Sequence, residues 1–158
     1  LQPVDFLKIS LPVGAWILLR LITSFCGVFG FSIMFNSPVR LAATAAGIGA
    51  IANTLRLEMV DMTAIPPAGA AFVGALTAGI LASLIKSKVG YPRISLTVPS
   101  IVIMVPGMYL YRGFYNLGIM SLGPAASWFA SAILIIAALP LGLIFARILT
   151  DETFRYCT

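Results

Sequence analysis

Eighteen residues without a charge, Ile94 to Tyr111, separate Arg93 from Arg112, and Pro106-Gly107 stands inside them. A run of that length crosses a hydrocarbon core of about 30 Å when it is helical. Proline removes a backbone donor and glycine loosens the chain, so the pair breaks the helix it interrupts. In lipid, backbone groups freed by a break are costly unless protein or a watery cavity satisfies them. Tyr109, Tyr111 and Arg112 follow at once. The segment reads as a broken membrane span with a polar site beside the break. The competing reading is a plain kink with interfacial tyrosines and an anchoring arginine.

The rest of the chain demands the same class. With 60% hydrophobic and 9% charged residues in 158, and a mean hydropathy of +1.05, there is too little charge to coat a soluble domain. The expected fold is an all-α integral membrane protein, one transmembrane domain over residues 1–158 with about five helices. The spans fall near 11–35, 39–57, 66–85, 94–112 and 125–146. The first carries Arg20, the fourth is broken at Pro106-Gly107, and Pro140 is expected to kink the fifth. Four spans result instead if the broken segment re-enters without crossing.

Basic residues sit singly between apolar runs, so the net charge of +5 reads as orientation signal, not as a nucleic-acid surface. One set of helix ends holds Arg40, Lys86, Lys88, Arg93, Arg147 and Arg155. The other holds Lys8, Arg56 and Arg112 beside Asp5, Glu58 and Asp61. The excess places the N-terminus outside and the C-terminus in the cytoplasm. No short apolar stretch with a small-residue cleavage site stands at the start, so no removable signal peptide is expected. Cys26 and Cys157 imply neither a disulfide framework nor a metal cluster. Histidine is absent, which removes most zinc sites and every Ser-His or Cys-His nucleophile. Neither an enzyme nor a cofactor is expected.

Small residues recur every fourth position. Ala42, Ala46 and Ala50 do so in the second span, Ala70, Gly74, Ala78 and Ala82 in the third beside Ala71, Ala75, Gly79 and Ser83, and Ala138, Gly142 and Ala146 in the fifth. Such stripes let helices approach closely in lipid. They serve packing within one bundle or contact with another subunit, and the two-sided third span is the best candidate for the latter.

Three further polar groups stand out. Phe35-Asn36-Ser37-Pro38-Val39-Arg40 is a turn signal, short and hydrophobic on both sides, that either forms a simple loop or folds back and presents Asn36 to the bundle. Asn53 and Arg56 share a helix face, as do Glu58 and Asp61 if the helix continues. These two acids are the only carboxylates between Asp5 and Asp151, hence the candidates for proton coupling unless they lie in a solvated loop. Arg20 is either a counter-ion within the membrane or an interfacial residue.

Phe31-Ser32-Ile33-Met34-Phe35-Asn36-Ser37-Pro38-Val39-Arg40, the Gly/Ala-rich Ala45 to Ala50, Thr97-Val98-Pro99-Ser100 and Met104-Val105-Pro106-Gly107 together resemble the threonine/serine exporter family, in its short YjjB-type subunit. Order and spacing hold over most of the chain. The resemblance implies a bacterial plasma-membrane exporter of small amino acids or of dicarboxylates such as succinate. It also implies a longer companion, a YjjP-type membrane subunit, fused or separate. Asn36, Pro38, Pro106 and Gly107 are the motif residues by position.

The expected site has a substrate carboxylate near Gly107 and Arg112, with Asn36, Ser100 and Tyr111 offering hydrogen bonds. Pro38, Pro106 and Gly107 act as hinges, and Glu58 or Asp61, or an acid on the partner, couples export to protons. The alternative is a non-transporting scaffold or regulatory subunit that packs on a partner, or on a second copy, through its small-residue faces.

Overall fold

The computed structural model describes residues 12–63 and 65–151. The readings that fall on Asp5, Lys8, Leu11, Arg155 and Cys157 lie outside these residues. The described elements are helices: α1 (Val13–Met34), α2 (Val39–Met62), α3 (Pro67–Val89), α4 (Arg93–Val102), α5 (Gly107–Gly118) and α6 (Leu122–Thr150).

Proline writes most of the boundaries. Pro12, Pro38, Pro66, Pro92 and Pro106 each stand immediately before a helix. A proline there costs no helical hydrogen bond and pushes the residue before it out of helical geometry. Asn36 ends α1 in the left-handed region, at φ 57, and the Ser37 amide closes the turn on the Ser32 carbonyl at 3.1 Å. Gly90 does the same for α3 at φ 74. Pro99 and Pro140, by contrast, lie inside α4 and α6 without ending them. The fourth span is therefore interrupted before Gly107 and not at Pro99. Around Pro99, hydroxyls of Thr97 and Ser100 bind the carbonyls of Arg93 and Leu96, at 3.2 and 2.6 Å.

Small residues set the packing. α1 and α2 run antiparallel: Arg20 meets Glu58, Ser24 meets Asn53, and Val28 meets Gly49. α3 and α6 run parallel. A Cβ on Gly142 would stand 2.5 Å from the Phe72 carbonyl oxygen, one on Gly79 would meet Ala146 at 2.5 Å, and Ser83 bonds Thr150 at 2.9 Å. α6 therefore starts at the same end of the bundle as α3. The α4–α5 pair, bent by 42°, carries the chain back to that end.

α1, α3 and α6 are each long and apolar enough to cross a membrane, and the bent pair passes the same test as a fourth unit. α2 is poorer in large apolar side chains but lies between α1, α3 and α4, with ten residues buried. A central helix needs no lipid-facing surface. In α3, Ala70, Ala71, Gly74, Ala75, Ala78, Gly79 and Ala82 are all buried within the chain. Both stripes that looked available to a partner are occupied by α2, α4 and α6. Large apolar side chains instead cover the outer faces of α1, α5 and α6, as a multi-pass membrane protein requires.

Candidate functional site

The break comprises Ile103 to Pro106, and Gly107 opens α5. Ten residues of α4 rise about 15 Å, so the chain leaves helical geometry near the middle of the bundle. Two features of α2 hold it there. Gly49 lets α4 approach until a Cβ would stand 3.0 Å from the Ser100 carbonyl, and the Ser100 hydroxyl donates to the Ala45 carbonyl at 2.9 Å. Two turns further along the same face, Arg56 Nη1 donates to the Met104 carbonyl at 2.9 Å. Gly74 of α3 makes room for that contact, since a Cβ there would lie 3.2 Å from both Arg56 Cβ and Met104 Sδ.

Ala45, Gly49, Ala52 and Arg56 recur at the spacing of one helix face. A seam of small residues thus ends in a guanidinium aimed at the one place where the fourth span lacks helical hydrogen bonds. Arg56 Nε is buried without a partner among the described residues, so the group retains unused donor capacity beside the break. The Gly107 amide at the start of α5 donates to the Val105 carbonyl at 2.8 Å, and the Met108 and Tyr109 amides follow in the first turn, where a helix supplies no acceptor of its own. Their dipole and the guanidinium both favour an anion.

The residues expected to form the site are spread along the bundle. Ser100 is fully buried, its hydroxyl spent on Ala45 and Leu96. Gly107 is exposed, with open space where a Cβ would stand. Tyr111 is 63% exposed. Arg112 stacks on the Trp128 ring of α6, 4.8 Å from its centroid, and Tyr109 meets the same ring edge-on at 5.6 Å. Asn36, exposed at the α1–α2 turn, lies toward the other end, as does Pro38. Nearby, Ser37 helps line a cavity of about 340 Å³ with Phe35, Leu41, Ser95, Val98 and Pro99, between that turn and α4.

Glu58 and Asp61 are helical, because α2 continues to Met62 instead of stopping near Leu57. Arg20 Nη1 bonds Glu58 at 2.7 Å and its Nη2 pairs with Asp61. Trp16, Arg20, Glu58 and Asp61 line a shallow cavity of about 390 Å³ between α1 and α2. The arginine in the first span is thus the counter-ion of both acids. One turn deeper, Asn53 Nδ2 donates to Ser24 Oγ at 2.8 Å, while Asn53 Oδ1 is buried with no hydrogen-bond partner among the described residues.

Sequence reasoning grouped Arg56 with the acids and did not place it at the break. The signal was present: it continues the small-residue face that Ala45 and Gly49 begin, not the face of Glu58 and Asp61.

A family model described as "Threonine/Serine exporter, ThrE" matches residues 20–149. No curated protein and no solved structure gives a significant match.

Proposed function

The chain belongs to the threonine/serine exporter family, and we propose that it works as the short module of a bacterial plasma-membrane exporter with the gap beside Pro106-Gly107 as its substrate position. Membrane location and membership of a transporter family, not an enzyme family, are the premises. The cargo is threonine or serine, or a small dicarboxylate in the same pose. Its carboxylate lies between Gly107 and Arg112, with Arg56 as the donor on the inner side of the gap. Asn36, Ser37 and the cavity beside them form the approach from one end, and Tyr111 and Arg112 the exit at the other.

The observation that carries this reading is the Arg56–Met104 contact. A half-buried guanidinium holding a broken helix by one carbonyl makes a bond that a substrate carboxylate can compete for, because an ionised acceptor is stronger than a peptide oxygen. Loading would release the break from α2 and let α5 rock about Pro106-Gly107, with Pro38 hinging α2 against α1. Protonation of Glu58 or Asp61 would loosen Arg20 and couple the motion of α1 to the proton gradient.

Five crossings, N-terminus outside, fit this scheme, and the parallel course of α3 and α6 supports them. A longer companion completes the transporter. The packing role of the small-residue stripes inside the chain favours transport over a pure scaffold.

The test is export of labelled threonine, serine or succinate from proteoliposomes with and without the companion. Arg112→Ala and Gly107→Leu are each expected to lower export at least tenfold. Unchanged export in both would remove the site from the outer side of the break.

A further inference from the structure

α4 and α6 both pack on α3 but make little contact with each other, which leaves a cleft of about 380 Å³ between them. It lies at the end of the bundle where α3 and α6 finish and α4 begins. Lys86 of α3, Arg93 of α4 and Arg147 of α6 line it, with Asp151 the one carboxylate among the described lining residues. Arg147 Nε stands 3.8 Å from Asp151 Oδ2. Arg93 Nη1 reaches the Thr150 hydroxyl at a long 3.3 Å, and its Nη2 is buried with no hydrogen-bond partner among the described residues. That Nη2 packs against Gly79 of α3, so it is Arg93 Nη1, with the Lys86 and Arg147 side chains, that can meet an anion in the cleft.

The walls differ in character from the base. Ile94, 67% exposed, and Ile144, 45% exposed, flank the opening between the helices, on the side that faces hydrocarbon in a membrane. The cleft therefore offers positive charge at the interface and an apolar flank running toward the bilayer interior. A small hydrophilic solute matches only the first of these features. A phospholipid with a net negative head group matches both.

We propose that this cleft binds an anionic phospholipid, its phosphate held by Lys86, Arg93 and Arg147 and one acyl chain laid along Ile94 and Ile144. Neither the direction of transport nor the identity of the cargo enters this assignment. It makes the position of α4, and through it the break, responsive to the charge of the surrounding lipid.

Native mass spectrometry of the full chain in mixed micelles reads the assignment directly, with phosphatidylglycerol and phosphatidylcholine of matched acyl chains as probes. Retention of phosphatidylglycerol is expected to exceed that of phosphatidylcholine at least tenfold. Lys86→Gln, at an exposed position that does not disturb packing, is expected to weaken the preference about fivefold, and Arg93→Gln by at least as much. Equal retention of the two lipids overturns the proposal, as does an unchanged preference in both variants. Inorganic phosphate at millimolar concentration should compete only weakly. If phosphate binds and no lipid preference exists, the cleft is a soluble-anion site and the proposal fails. Displacement of phosphatidylglycerol by threonine overturns it equally, by assigning the cleft to cargo.

Discussion

At the scale of single residues, the decisive contact joins Arg56 to the Met104 carbonyl. Replacing Arg56 with glutamine leaves a buried carbonyl without its donor, a loss of about 1–3 kcal/mol. Arg56→Lys should recover part of the stability, since an ammonium still donates to one oxygen, but not the fork that a carboxylate would engage. Thermal unfolding of the two variants in nanodiscs separates these effects. The Arg20 cluster makes a second expectation. Arg20→Ala should cost roughly 1–2 kcal/mol, between the values for exposed and fully buried pairs, because both acids lose their counter-ion. Glu58→Gln with Asp61→Asn should fold, yet export should no longer respond to an imposed proton gradient; a response equal to wild type would assign coupling elsewhere. Arg20, Glu58 and Asp61 were legible in the sequence as charges within or beside spans. Their pairing was not, because it depends on α2 continuing one turn past Leu57. Ser100 shows a contact that sequence does not carry, its hydroxyl meeting the Ala45 and Leu96 carbonyls, whereas Asn36 stands in the turn that Asn-Ser-Pro signals.

At the scale of elements, the start of α5 at Gly107 was readable in the fourth span, because proline and glycine act on local backbone geometry whatever surrounds them; α4 stops earlier, at Val102, where no such residue marks the end. Pro99 does not interrupt α4 in the same way. It resembles a second weak point, but hydroxyls of Thr97 and Ser100 and the close packing on Gly49 hold the helix through it. Glycines divide sharply by what they face. Gly142→Ala drives a Cβ into the Phe72 carbonyl, and Gly49→Ala does so into Val28 and the Ser100 backbone. Each should destabilise by about 1–3 kcal/mol through forced separation of helices. Gly47→Ala meets nothing within 4 Å and should be neutral or gain up to about 1 kcal/mol from helix propensity. Melting temperatures of the three proteins check the whole packing scheme; equal values would show that the stripes do not bring these helices together.

For the whole molecule, the membrane bundle and the family were both legible, the first from the lack of charge and the second from the Asn-Ser-Pro and Pro-Gly elements in order. Which helix lies at the centre was not. α2 carries alanine, glycine and four charges, a composition that looks like a weak span in one dimension and becomes a hub when three neighbours cover it. Its burial makes it the axis of the bundle, and the Arg56–Met104 contact ties the break in the fourth span to that axis, the contact on which the proposed rocking of α4 and α5 depends. Outward flux of labelled threonine from proteoliposomes, with and without the proposed longer subunit, measured for wild type and Arg56→Gln at matched membrane insertion, tests that arrangement. Arg56→Gln is expected to lower flux at least tenfold while the protein still inserts and folds; wild-type flux from the folded variant would remove Arg56 from the transport cycle.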